Sequence, residues 1–419
     1  MTTDNLAIAP PGRTFVLNIG EMLSFLALAA LTLEPLFGTI AAAGFLAIGV
    51  LLLLSQPAHT LRTLIGAWPL LILPAYCLAS VFWSQFPDNT LRYGIQLAVT
   101  LAVAIVIPAR VPAATLLRGL FIIYSIGVFV SIAIGRNSDE SAWVGIFGSK
   151  NAFAAYIAVY AIISIALVFD SGARRWLRAA ALMGALVSLP LLIRAQSAGA
   201  LAVIGPSVLV VLAVVLARRL SDLQKIFILG CVALGAAALA FVVSLYGNQL
   251  LAVALETSGK DSTLTGRTDL WSAGLSLIAE RPWFGVGYRA FWVRDYGPAE
   301  QLWAMFNEQS GAGFNFHDLY ISNAVELGLV GLAIEVAIIY VTAGMLLFLA
   351  VVRPSHIVAF LLGLQVLLIL RSFVEVEVFY EFSVRSILTY GCAIYAAREL
   401  LQWRLETRLA HPRFQLREA

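Results

Sequence analysis

Residues 200–216 read ALAVIGPSVLVVLAVVL, an apolar run without a charged side chain. A helix needs about 20 mostly apolar residues to cross the hydrocarbon core of a bilayer, and open sheets cannot cross it because their edge groups would stay unpaired. Similar runs recur along most of the chain, so the sequence predicts an all-α, polytopic integral membrane protein with about 12 transmembrane helices. The predicted spans lie near residues 14–33, 36–54, 67–83, 93–109, 119–135, 152–169, 179–193, 200–216, 225–246, 328–350, 357–373 and 384–397.

The overall composition indicates the same class of protein. Of the 419 residues, 61% are hydrophobic and 12% are charged, whereas soluble chains have about 45–50% apolar and about 25% charged residues. The net charge is only +3 and the positive residues are scattered, which argues against nucleic acid as a partner. Cys77, Cys231 and Cys392 lie far apart within apolar runs, a spacing that fits neither a disulfide framework nor a metal site.

The positions of lysine and arginine predict the orientation, because cytoplasmic loops carry an excess of them. Sixteen lie on the side of the termini and six in the short loops of the other side, which predicts that both termini are cytoplasmic. The chain then divides into a membrane bundle of about nine helices (1–246), an ordered extracytoplasmic (in a bacterium, periplasmic) loop with candidate substrate-binding residues (247–316), further membrane helices (317–397) and a basic cytoplasmic tail (398–419). Within the loop, residues 269–280 predict a short amphipathic helix and residues 282–288 a turn-rich stretch.

A histidine motif lies where the long loop returns to the membrane. His317 and Asp318 are followed by nine residues and then by Gly328, two residues and Gly331. Asp318 begins a helical pattern and can cap it, which would leave the imidazole of His317 at a helix N-terminus. The two glycines would allow the close approach of a neighbouring helix. The alternative is an interfacial histidine that makes one hydrogen bond, with glycines that serve packing only.

Four cationic residues are candidates for binding a phosphate or pyrophosphate. Arg267 and Arg289 belong to the long loop, and a planar guanidinium can bind two phosphate oxygens at once. Arg194 and Lys150 lie in short polar links between apolar runs. Burying an ionisable residue near the membrane costs free energy, so such residues often have a function. The alternatives are arginines paired with an aspartate of the same loop, and side chains that merely reach out to the membrane surface.

The remaining acidic and nucleophilic residues form no cofactor-binding motif. Glu375, Glu377 and Glu381 form an acidic segment that the sequence predicts to be exposed. No carboxylate pair has metal-ligand spacing, no glycine loop could cradle phosphates, and no nucleophile elbow occurs. The sequence therefore predicts neither a metal nor a cofactor.

These motifs resemble the bacterial O-antigen ligase and polymerase superfamily. The resemblance rests on Gly266-Arg267, on the turn from Pro282 to Gly287, and on His317 with its two glycines. The family has asparagine, serine or glutamine after the histidine, where this chain has Asp318. Residues 80–92 and 145–151 are more similar to the exopolysaccharide-production polymerases of the same superfamily.

The resemblance implies a helical membrane glycosyltransferase of the GT-C type in the bacterial inner membrane, which uses neither a nucleotide sugar nor a metal. Its donor would be an oligosaccharide on undecaprenyl pyrophosphate, and a hydroxyl of an acceptor glycan would attack the anomeric carbon at the periplasmic face. His317 would be the base, and Arg267, Arg194, Arg289 and Lys150 would bind the pyrophosphate. Membrane lipid, chain-length regulators and export proteins are the further partners implied.

Three functions remain open at this point. Polymerisation of exopolysaccharide repeat units is favoured by residues 80–92 and 145–151. A ligase that transfers lipid-linked glycan to lipid A core differs only in its acceptor. A transporter or flippase would need paired charges or broken helices at mid-membrane, whereas the charges here gather in one loop.

Overall fold

The computed structural model describes residues 18–138, 142–228, 230, 263–308, 311 and 313–410. Within these ranges the regular structure is helical, and an isolated bridge between Asn137 and Trp143 is the sole β-type pairing. The helices used below are α1 (Ile19–Thr32), α2 (Glu34–Phe37), α3 (Thr39–Ser55), α4 (Pro57–Gly66), α5 (Trp68–Ala79), α6 (Pro87–Arg110), α7 (Ala113–Ile134), α8 (Lys150–Val168), α9 (Arg175–Arg194), α10 (Ala198–Ala217), α11 (Thr263–Glu280), α12 (Gly297–Met305), α13 (Leu319–Val352), α14 (His356–Ser372) and α15 (Val384–Ala410).

Several of these helices are long and apolar enough to cross a membrane. Six meet this criterion among the described residues, namely α6, α7, α8, α9, α10 and α13, and the pair α3–α4, bent by 97°, raises the number to seven if it is one span. Trp68–Phe82, α1 and α14 are shorter apolar helices. The all-α integral membrane class is thereby confirmed. The count of about twelve spans stays a prediction, and most of the span predicted near 225–246 lies outside the described residues.

The core of the bundle forms around α8, which is apolar on every face. Its sequence between Ala152 and Val168 has no charged residue, and small alanines alternate with bulky side chains. It packs against α7, α9, α10 and α14, while α6 packs against α3, α5 and α15. A helix that is hydrophobic all round is buried by its neighbours, which is the position that α8 takes.

The described part of the predicted loop has a small core of its own. Helix α11 includes the predicted amphipathic helix at 269–280, and residues 282–288 form the predicted turns, with further turns up to α12. This cluster includes the buried side chains of Leu270, Phe291 and Phe316 together with Val325 of α13. The described part of the loop is therefore ordered. Residues 247–262 lie outside the described residues, as do 411–419 of the predicted tail.

Helix α13 is interrupted at Gly328, which has φ 67° and ψ −174°. The interruption frees backbone groups that the turn at 282–288 then binds. The N–H groups of Leu329 and Val330 donate to the carbonyls of Pro282 and Trp283 at 2.7 and 3.3 Å. In return, the carbonyls of Val325 and Glu326 accept from the turn at 3.1 and 2.8 Å. The interruption breaks two helical bonds, from Leu329 to Val325 and from Val330 to Glu326, and the four groups left over all bind the turn, as buried backbone groups require.

The two glycines of the histidine motif make different close contacts. A Cβ at position 328 would lie 2.3 Å from the carbonyl carbon and oxygen of Trp283, so the close neighbour is the backbone of the turn and not a helix. A Cβ at Gly331 would lie 3.0 Å from the ring of Tyr76 on α5. Only Gly331 therefore allows a helix to approach.

Gly328→Ala should destabilise the protein strongly. The φ/ψ region of Gly328 is essentially restricted to glycine and costs other residues about 1–3 kcal/mol, and the added methyl group would push the turn away from α13. Gly344→Ala on the same helix is the matched control, because a Cβ there meets no atom within 4 Å. The thermal midpoint of each variant in detergent is the measurement. Equal midpoints for Gly328→Ala and the wild type would contradict the role given to the interruption.

Candidate active site

His317 is held in a specific conformation at the start of α13. Asp318 caps the helix by accepting a hydrogen bond from the backbone N–H of Ile321 at 2.8 Å. His317 itself has φ 50°, which is uncommon for a residue with a side chain. Its backbone N–H donates to Oδ1 of Asn315 at 2.7 Å. The imidazole is therefore fixed where the loop meets the helix, with 28% of the side chain exposed.

Glu375 contacts the imidazole. Its Oε2 lies 3.1 Å from Nδ1 of His317, and it comes from the segment between α14 and α15. A carboxylate at Nδ1 favours the tautomer with the proton on that nitrogen, which leaves the lone pair on Nε2. The arrangement can therefore present Nε2 as a base, with the carboxylate stabilising the imidazolium that forms.

Three further residues hold the carboxylate of Glu375. Nδ2 of Asn151 donates to its Oε1 at 2.8 Å, and Ser197 Oγ donates to Oδ1 of Asn151 at 3.0 Å. Nη2 of Arg267 lies 3.6 Å from the same Oε1, while Nη1 donates to the carbonyl of Val374 at 3.1 Å. Residues from four distant parts of the sequence thus converge on Glu375.

A cavity of about 300 Å³ opens beside this network. Lys150, Arg267 and Arg371 give it three cationic side chains against one carboxylate, that of Glu375. Arg267 is 27% exposed and remains accessible from the cavity. We call this space the cationic cavity; it is suited to an oxyanion, because guanidinium groups bind phosphate oxygens through charge-assisted hydrogen bonds. Its remaining lining residues are Asn151, Gln196, Ser197, Ala198, Gly199, Ala200 and Val374.

The structure brings only two of the four predicted cations together. Lys150 and Arg267 line the cationic cavity, whereas Arg194 is exposed and its guanidinium lies 5.2 Å from the ring centre of Trp143. Arg289 lies in a second cavity and pairs with Glu381 at 3.0 Å, so its partner is the acidic segment and not an aspartate of the loop.

The expectation that the acidic segment is exposed is wrong. Glu377 is only 4% exposed, accepts a hydrogen bond from Arg371 and lies 3.2 Å from Nε of Arg385. Burial alone would raise the pKa of Glu377, but Arg371 and Arg385 hold it below its usual value. The sequence contained a signal, since arginines at 371 and 385 flank three glutamates in a short link between apolar helices, where charges need partners.

The two stretches that resemble exopolysaccharide polymerases both reach this region. Residues 145–151 end at Asn151, which binds Glu375. In residues 80–92, Trp83 Nε1 donates to the carbonyl of Phe284 at 2.9 Å, and Ser80 Oγ accepts from the backbone N–H of Tyr288 at 3.0 Å. These contacts hold the turn at 282–288 against the membrane bundle.

Glu377→Ala should lower stability by about 3–5 kcal/mol, because it leaves buried arginine charge without its carboxylate. Glu399→Ala is the control; Glu399 pairs with Arg353 at 3.6 Å in a more exposed place, where a pair contributes about 0–1 kcal/mol. The folded-state pKa of Glu377 is depressed, so its contribution is complete above the unfolded value of about 4.3 and is lost as the pH falls below it. Thermal midpoints from pH 7 to pH 3 should therefore converge for wild type and Glu377→Ala. A constant gap across that range would contradict the assignment.

Comparison with known proteins agrees with the family resemblance of the motifs. The family model described as O-antigen ligase matches residues 183–336, a range that runs from α9 through the first half of α13 and includes Arg267 and His317. The exopolysaccharide production protein ExoQ of Rhizobium meliloti (strain 1021) is 34% identical over 331 residues, which cover 76% of this chain and 74% of that protein. The chain therefore belongs to the O-antigen ligase and polymerase superfamily, within which it is similar to an exopolysaccharide production protein.

Proposed function

We propose that the protein polymerises repeat units of an exopolysaccharide that are linked to undecaprenyl pyrophosphate. The reaction takes place at the periplasmic face of the bacterial inner membrane, with both termini cytoplasmic. The observation that carries the proposal is the contact between Glu375 and His317 at the edge of the cationic cavity. A base and an anion site that adjoin are what glycosyl transfer from a lipid pyrophosphate needs.

In the proposed reaction, a hydroxyl of the acceptor glycan attacks the anomeric carbon of the donor sugar. The bond between that carbon and the pyrophosphate oxygen breaks, and its electron pair leaves with undecaprenyl pyrophosphate. Nε2 of His317 takes the hydroxyl proton. Glu375 acts through His317 as a positioning residue, since it orients the ring and stabilises the imidazolium. Asn151 and Ser197 in turn hold the carboxylate.

The leaving pyrophosphate needs fixed positive charge, and Arg267 and Lys150 supply it in this proposal. The proposed enzyme relies on these cationic side chains for the positive charge at the leaving group. The surroundings of Arg194 and Arg289 do not favour the same role for them, because Arg194 stacks on Trp143 and Arg289 is paired with Glu381.

A ligase that transfers lipid-linked glycan to lipid A core is the second candidate, because the matching family model is described as O-antigen ligase. The same site would serve it, since only the acceptor differs. The similarity to an exopolysaccharide production protein over three quarters of both chains favours the polymerase. Chain-length regulators and export proteins are proposed partners of either enzyme.

Deletion of the gene, with plasmid-borne variants returned to the strain, tests the function and the base together. The deletion strain should accumulate single repeat units on lipid, and His317→Ala and His317→Gln should both fail to restore polymer. Loss of a general base costs about 10²–10⁴-fold in rate, and glutamine can replace a hydrogen bond but cannot take a proton. His59→Gln, at an exposed histidine of α4, is the control and should restore polymer.

Two results would contradict these assignments separately. Long polymer on lipid together with free lipid A core in the deletion strain would identify a ligase. Substantial polymer from His317→Gln, at wild-type protein levels, would leave His317 as a binding residue only.

Arg267→Lys should lose most of the polymer while the protein accumulates normally. Lysine keeps the charge but not the planar fork that donates to Val374 and the donor pyrophosphate together. Arg281→Lys is the matched control, because Arg281 is exposed in the same part of the chain. The amount and length of polymer are measured in the deletion strain. Equal polymer from both variants would reduce Arg267 to a surface charge.

A further inference from the structure

A second cavity of about 660 Å³ has a different chemical character from the cationic cavity. Aromatic rings and uncharged amides make up much of its wall. We call it the aromatic cavity. The lining side chains used below are Asn89, Tyr93, Arg289, Asn315, Glu326 and Tyr380.

The aromatic cavity is lined by two cations, of which Arg289 is compensated and Arg294 is exposed. The guanidinium of Arg289 lies 3.0 Å from Glu381, and its backbone N–H donates to Oε2 of Glu326 at 2.8 Å. The rings of Tyr93 and Tyr380 lie 5.0 and 4.9 Å from the same guanidinium. Two carboxylates and two ring faces thus surround Arg289, so the aromatic cavity is less suited to a pyrophosphate than the cationic cavity, where three cations face one carboxylate.

The same groups suit a sugar. Carboxylate oxygens accept hydrogen bonds from hydroxyls, amides and guanidiniums donate to them, and aromatic rings pack against the apolar faces of pyranose rings. One buried donor also lacks a partner, since Nε of Arg289 makes no hydrogen bond to the described residues. Buried unpaired donors of this kind call for a ligand or water. The half-buried side-chain amide of Asn89 lines the same cavity.

His317 is contacted by residues of both cavities. Asn315 of the aromatic cavity accepts the hydrogen bond of its backbone N–H, and the ring of Phe314, which also lines that cavity, lies edge-on to the imidazole at 6.4 Å. Glu375 of the cationic cavity binds its Nδ1. The base thus lies where the two spaces meet.

We propose that the aromatic cavity binds the acceptor glycan, so that the acceptor hydroxyl comes from one side of His317 and the donor pyrophosphate lies on the other. The volume is within the range of about 300–1,000 Å³ that is usual for small-molecule sites and leaves room for more than one sugar ring. This assignment rests on the proposed glycosyl transfer and adds the place and the chemistry of acceptor recognition.

Binding to the purified full-length protein in detergent tests the proposal with two probes. One is the lipid-free oligosaccharide, released by mild acid from the lipid-linked repeat units of the deletion strain; the other is undecaprenyl pyrophosphate. Asn89→Ala should raise the Kd of the oligosaccharide about 3- to 10-fold, the effect of one lost hydrogen bond, and leave the Kd of undecaprenyl pyrophosphate unchanged. Tyr93→Leu, which removes an aromatic ring from the cavity, should likewise raise only the Kd of the oligosaccharide. Arg267→Lys should give the opposite pattern.

The outcomes separate this inference from the proposed function. An oligosaccharide Kd that is the same in wild type, Asn89→Ala and Tyr93→Leu would overturn the acceptor assignment, as would a wild type that binds no oligosaccharide. Equal weakening of both probes by Asn89→Ala would also overturn it, because the two cavities would then not be separate sites. If the wild-type gene restores polymer in cells but the binding results contradict the acceptor site, the proposed function stands. Only the assignment of the aromatic cavity to the acceptor is then wrong.

Discussion

The exchange of four backbone hydrogen bonds between the interruption of α13 and the turn at 282–288 is the interaction on which the site depends. Glycine at position 328 permits a conformation that ends one helical segment and starts another, and the turn binds the groups that are freed. The turn brings Arg289 against Glu326, and the segment N-terminal to Gly328 begins at His317. One local break therefore sets the distance between the histidine and the loop that surrounds it.

Charge pairing holds the segment between α14 and α15 against His317 and the loop. The glutamates at 375, 377 and 381 bind His317, the two flanking arginines and Arg289, respectively, so that one short segment contacts charged residues of both cavities. Buried ion pairs rarely add much net stability, because desolvation offsets their attraction, but breaking one is costly. Removal of one partner would therefore leave an unpaired charge in the segment between α14 and α15.

Local signals in the sequence predicted the helical membrane class, the amphipathic helix at 269–280 and a role for Asp318 at a helix start, because hydropathy and capping involve residues within a few positions of each other. The contact between His317 and Glu375 spans 58 positions, and the one between Asn151 and Glu375 spans 224. No periodicity encodes such pairings. The sequence therefore identified His317 and Arg267 as candidates but missed Glu375, and it grouped Arg194 and Arg289 with cations from which the fold separates them.

The different charge balance of the two cavities gives a physical basis for discrimination between substrates. In a polymerisation both substrates carry a pyrophosphate, and two cationic cavities would let either pyrophosphate occupy either place, with most complexes unproductive. Arg289 of the aromatic cavity is already paired, since Glu381 binds its guanidinium and Glu326 its backbone N–H, while Arg294 lies at an exposed position. Lys150, Arg267 and Arg371 line the cationic cavity with the single carboxylate of Glu375. In the proposed reaction, this difference in charge favours the donor pyrophosphate in the cationic cavity, and the polar and aromatic groups of the other cavity recognise the acceptor glycan.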